Sequence, residues 1–92
     1  MRAVSLLISG RVQGVGYRWW TVSTARRLRL TGWVRNLRDG RVEALAYGPA
    51  DKVTSLINAC HHGPDAALVE AVAVEEVAVP TDLVGFEQRP TA

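Results

Sequence analysis

Gly10-Arg11-Val12-Gln13-Gly14-Val15-Gly16-Tyr17-Arg18 connects an apolar run, Ala3 to Ile8, to a helix-like run from Trp19 to Leu30. The first run reads as a strand, so this stretch turns a strand into a helix. Gly14 and Gly16 open backbone conformations that are closed to most residues. Successive N–H groups can then converge on one anion as a nest. The helix that follows adds its unpaired first donors and the positive end of its dipole. Arg18 stands where loop becomes helix, and its guanidinium is a fixed fork of donors that matches a phosphate. Two readings fit: a phosphate cradle, or a tight strand–helix connection with a surface arginine. A nucleotide P-loop does not fit, because no Gly-Lys-Ser/Thr follows. The dinucleotide fingerprint fails as well, because Trp19 stands where its third glycine belongs.

A second stretch is Gly32-Trp33-Val34-Arg35-Asn36-Leu37-Arg38-Asp39-Gly40-Arg41-Val42-Glu43. Asp39-Gly40 between two strand-like runs predicts a hairpin. Asn36 lies just before that turn. It can cap the turn through its own backbone, or it can aim its amide at a ligand or a water.

Working outward, strands are expected at roughly 3–11, 32–37 and 41–47, within 68–79, and briefly within 85–89. The 41–47 run alternates Val42, Ala44 and Ala46 with Glu43, Leu45 and Tyr47. A first helix spans roughly 19–30, with Val22, Ala25 and Leu28 on one face. A second helix starts at Pro49, with Asp51 in its first turn, and stops at Gly63-Pro64. The order β-α-β-β-α-β predicts a ferredoxin-like α+β sandwich, with two helices on one face of an antiparallel sheet. In that topology the first and third strands are neighbours and the second flanks the third. Topology alone therefore does not bring the glycine loop to Asn36.

The chain of 92 residues, 48% of them hydrophobic, is expected to form one domain, 1–92, around a single core. Cys60 is the lone cysteine, so no internal disulfide is expected, which fits a reducing cytoplasm. The start of the chain lacks a signal-peptide layout, and no run approaches the length of a membrane span. The net charge of +2 hides an asymmetry. Residues 1–52 hold ten Arg/Lys against three Asp/Glu, while residues 53–92 hold only Arg89 against six acids. The basic half carries both motifs, and a positive field there would steer phosphorylated substrates. Arg26, Arg27 and Arg29 read instead as cations suited to the end of the first helix. His61-His62 has the same explanation at the end of the second helix, and no partner completes a metal ligand set around it. Cys60 reads as a small buried hydrophobe. Trp19, Trp20 and Trp33 read as packing residues, and Asp39 as turn chemistry.

Taken together, the two stretches resemble the acylphosphatase family. Its pattern runs Gly-x-Val-Gln-Gly-Val-x-Phe/Tyr-Arg and then Gly-Trp-Val-x-Asn, followed by a Gly-x-Val turn. Gly48-Pro49 and the terminal Gly85-Phe86-Glu87-Gln88-Arg89 extend the resemblance over nearly the whole chain. It departs at Leu37, where some relatives carry Thr or Ser, and at Pro90, where many end in an aromatic residue. The resemblance implies the same fold, with a short C-terminal strand added at a sheet edge. It implies that Arg18 binds the phosphate and that Asn36 positions the attacking water. It further implies that Gln13, Gly14, Val15, Gly16 and Tyr17 supply backbone donors. The implied activity is hydrolysis of a small acyl phosphate to carboxylate and phosphate, without metal or cofactor. Inorganic phosphate is then both product and competitive inhibitor. No nucleic-acid or membrane partner is expected, and the protein is expected to be a cytoplasmic monomer. An RNA-binding module shares the element order. Its aromatic strand pattern is missing from Arg41-Val42-Glu43-Ala44-Leu45-Ala46-Tyr47.

Overall fold

The computed structural model describes residues 1–92. Its elements are β1 (Arg2–Arg11), α1 (Tyr17–Arg27), β2 (Thr31–Asn36), β3 (Val42–Gly48), α2 (Ala50–Cys60), β4 (Leu68–Glu76) and β5 (Phe86–Gln88). They form one five-stranded sheet in the order β4-β1-β3-β2-β5. The expected order and ferredoxin-like architecture hold, with one refinement. β5 runs parallel to β2, whereas the other pairings are antiparallel, so the sheet is mixed.

Alternation along the strands sorts residues between the two faces. Val4, Leu6 and Ile8 of β1, Val34 of β2, and Val42, Ala44 and Ala46 of β3 are buried on the helix side. They meet Val22 and Ala25 of α1, Val53, Leu56 and Cys60 of α2, and Phe86 of β5 in one core. On the other face, the guanidinium groups of Arg35 and Arg89 both lie against the Trp33 ring, at 4.7 and 5.0 Å. Gly10 lets β1 and β4 close up at a bulge: its φ is 119°, and a Cβ there would sit 2.2 Å from the Leu68 carbonyl oxygen.

α1 begins two residues earlier than the hydrophobic pattern predicts and stops at Arg27, not Leu30. Its end is a Schellman turn. The Leu30 N–H donates to the Ala25 carbonyl (3.0 Å), the Arg29 N–H to that of Arg26 (3.0 Å), and Arg29 takes φ 58°. The turn carries Leu30 into the core, where it is buried. Arg29 therefore lies past the helix. Pro49 caps α2 rather than opening it, and α2 ends at Cys60, with Gly63 left-handed just beyond.

The C-terminal tail stays paired along β2 beyond β5. Arg89 donates to the Val34 carbonyl (2.8 Å), Ala92 to that of Asn36 (3.0 Å), and the Arg38 N–H to the Ala92 carbonyl (3.0 Å). Pro90, which has no N–H, falls where this ladder needs none, so the tail is anchored without a terminal aromatic residue. No helix is long and apolar enough to cross a membrane.

Candidate active site

The loop between β1 and α1 closes on the end of β2 although β3 separates β1 from β2 in the sheet. The link is a side chain. The Gln13 amide donates to the Leu37 carbonyl (2.7 Å) and the Arg41 carbonyl (2.9 Å), on the two sides of the hairpin. That hairpin is built as its sequence predicts. The Gly40 N–H donates to Leu37 (3.2 Å), Gly40 takes φ 100°, and the Asp39 carboxylate accepts from the Arg41 N–H (3.0 Å) and Nε (2.9 Å). Pairing with Arg41 holds the Asp39 carboxyl below the usual carboxylate range.

The loop itself has unspent donors. No main-chain N–H from Gln13 through Trp19 donates to a backbone or side-chain acceptor of the protein; the first to do so is Trp20, to the Gly16 carbonyl at 3.0 Å. Gly14 (φ 74°) and Gly16 (φ 81°) hold this shape, and Gly16 is the left-handed cap of α1. A Cβ at either glycine would meet nothing within 4 Å, so conformation rather than space requires glycine there. The first turn of α1 contains no acidic residue and no side-chain cap, which leaves its positive end uncompensated.

Arg18 follows in that first turn. Its side chain is half-buried and, unlike Arg2, Arg35 and Arg41, makes no ion pair or hydrogen bond with the protein. The carboxamide of Asn36, at the end of β2, is also unpartnered, while its backbone carbonyl is held by Ala92. A cleft of about 150 Å³ brings these features together. It is lined by Val12, Gly14, Gly16, Tyr17, Arg18, Trp19, Asn36 and Gln88. This is below the size of ordinary drug-sized pockets, roughly 300–1,000 Å³, and suits a small anion.

Arg18 and Asn36 thus share one cleft with Gly14, Gly16 and Tyr17. Gln13 and Val15 contribute no lining side chain: Gln13 ties the hairpin and Val15 packs against the core. Tyr17 presents only its backbone. Its ring is buried, and its hydroxyl donates to the Cys60 carbonyl at 2.7 Å. Burial pushes that phenol well above its ordinary range. Burial likewise raises the Cys60 thiol to about 11. No cluster of three or more His, Cys, Asp or Glu side chains is placed to hold a metal ion. One expectation is corrected: Trp19 is not a packing residue but is 72% exposed at the cleft. Gln88 was missed by the sequence reading. Its place opposite β2 depends on the direction of β5, which no local pattern encodes.

A family model described as acylphosphatase matches residues 4–88. An acylphosphatase from Rhodospirillum rubrum is 50% identical over 91 residues, covering 99% of each chain. One from Trichormus variabilis is 56% identical over 84 residues, covering 91% of this chain and 82% of its own. The crystal structure of acylphosphatase from Bacillus subtilis superposes with a TM-score of 0.93 at 35% identity, covering 97% of this chain and 99% of that one. With sequence and fold in agreement over nearly every residue, the chain belongs to the acylphosphatase family.

Proposed function

We propose that Arg18 and the free amides of the 13–19 loop bind the phosphoryl group of an acyl phosphate, and that Asn36 aims the attacking water. The observation that carries this assignment is the pair of unpartnered polar side chains, Arg18 and Asn36, in one cleft beside unspent backbone donors. An acyl phosphate is a mixed anhydride whose leaving group departs as a carboxylate and needs no proton, so no general acid is required. Phosphoryl transfer spreads charge over three phosphoryl oxygens in a loose transition state. Catalysis then rests on positioning and preorganised donors. Arg18 keeps its charge at any working pH. Asn36 is no base; its amide oxygen accepts a hydrogen bond from the water, and the proton passes to a phosphoryl oxygen. This division of labour uses no metal and no cofactor. Inorganic phosphate competes for the cradle. The enzyme acts as a monomer of one domain, 1–92, and its single buried, free cysteine suits a cytoplasmic location.

The test is hydrolysis of an acyl phosphate against a stable phosphate monoester, for wild type and Arg18→Ala. Wild type should cleave only the acyl phosphate. Arg18→Ala should lose about 100-fold or more in kcat/KM, and Arg18→Lys should rescue poorly because a point charge lacks the fork. Retention of more than about a tenth of wild-type kcat/KM in Arg18→Ala, a loss of only ~1.4 kcal/mol, would overturn the assignment.

A further inference from the structure

Trp19 is the tryptophan for which the fold has no use. Trp20 packs on Tyr17, with ring centroids 5.4 Å apart, and Trp33 is in contact with two arginines. Trp19 instead stands 72% exposed in the first turn of α1, beside Arg18 and on the cleft. Leaving an indole in water forgoes the gain of burying it, and an aromatic surface next to a polar site suits contact with a ligand. Gln88 lines the same cleft. Its Cα pairs with that of Val34, which places it on the helix-facing side of the sheet with Phe86 and Asn36. Its carboxamide has no hydrogen-bond partner in the protein, whereas the amide nitrogen of Gln13, the other glutamine, donates to two carbonyls.

The phosphoryl half of the substrate is accounted for by Arg18 and the loop amides. The acyl half has no assigned partner, and these two residues are the unassigned side chains with suitable chemistry on the cleft. We propose that Trp19 and Gln88 form the acyl subsite: the indole face receives an apolar or aromatic acyl body, and the Gln88 amide donates to the departing carboxylate oxygen. This rests on the assignment of Arg18 and Asn36 above. As the bond from water oxygen to phosphorus forms, the bond from phosphorus to the acyl oxygen breaks. The electron pair leaves on the carboxylate, so the oxygen facing Gln88 gains charge during the reaction. A donor there is worth more in the transition state than in the bound substrate. The preferred substrates are therefore acyl phosphates with a planar or apolar acyl group.

Benzoyl phosphate and acetyl phosphate separate the two halves. Trp19→Ala should lower the benzoyl-to-acetyl ratio of kcat/KM about tenfold, chiefly through KM, and Trp19→Phe should restore most of it. Gln88→Met should make kcat depend more steeply on leaving-group basicity across ring-substituted benzoyl phosphates. Circular dichroism checks that each variant is folded. A ratio within about threefold of wild type in Trp19→Ala, or an unchanged basicity slope in Gln88→Met, would overturn the subsite. An active Arg18→Ala would instead overturn the phosphate assignment on which it rests, so the two failures are distinct.

Discussion

β1 passes into α1 through Val12–Gly16, and β3 passes into α2 through Pro49 alone. Both junctions join a strand to the N-terminus of an 11-residue helix. Their chemistry is opposite. At α2 the cap is Pro49, which has no N–H to leave free, and its carbonyl accepts from both Lys52 and Val53 at 3.0 Å. The second helical residue is Asp51, which balances the positive end of the dipole. At α1 the cap is left-handed Gly16, the loop donors are free, and the second helical residue is Arg18. A cation there is unfavourable for the helix itself. Neither helix has a side-chain cap, but one junction meets its dipole with its own carboxylate, while the other leaves its loop donors and an arginine free for an anion. Glycine content does not separate them as well as the account of which polar groups remain unspent.

The comparison can be broken at several points. The largest effect after that of Arg18 is expected at Asn36, the hairpin-side partner of the open junction. Asn36→Ala should lower kcat about 100-fold, because a misplaced nucleophile is that costly. The inhibition constant for inorganic phosphate should stay within a few-fold. Equal losses in kcat and phosphate affinity would place Asn36 in the cradle or the fold instead. Next comes Tyr17, which opens α1 but turns its side chain inward. Tyr17→Phe should cost about 1–3 kcal/mol in denaturant unfolding, by leaving the buried Cys60 carbonyl unpaired. Its kcat should remain near that of wild type. A large loss of kcat at full stability would show the hydroxyl acting in the cleft. The smallest effect is expected at the closed junction. Asp51→Asn should lower stability by ~0.3–1 kcal/mol and leave turnover unchanged.

Local signals carried much of this fold in the sequence. Alternation marked Val42, Ala44 and Ala46, the Asp39-Gly40 pair marked the hairpin, and Pro49 with Gly63-Pro64 bracketed α2 closely. The two stretches that meet at the cleft are visible separately in the sequence, because glycine spacing and turn residues are local properties. What joins them is not local. The Gln13 bridge to Leu37 and Arg41 spans more than twenty residues, and the parallel pairing of β5 with β2 brings Gln88 to the cleft. Arg29 was misplaced because nothing in a helical pattern announces a left-handed arginine at the turn that carries Leu30 into the core. Trp19 was misread because an indole in a helix usually packs, and only the orientation of the first turn shows this one facing out.

The most direct test is to measure activity and unfolding free energy together on Arg18→Ala. If the open junction sacrifices helix stability to hold an anion, the variant should lose about 100-fold or more in kcat/KM while its stability holds or rises by ~0.3–1 kcal/mol. A variant that keeps more than about a tenth of wild-type kcat/KM, or that loses more than ~1 kcal/mol of stability along with its activity, would mean that Arg18 serves the fold rather than the phosphate.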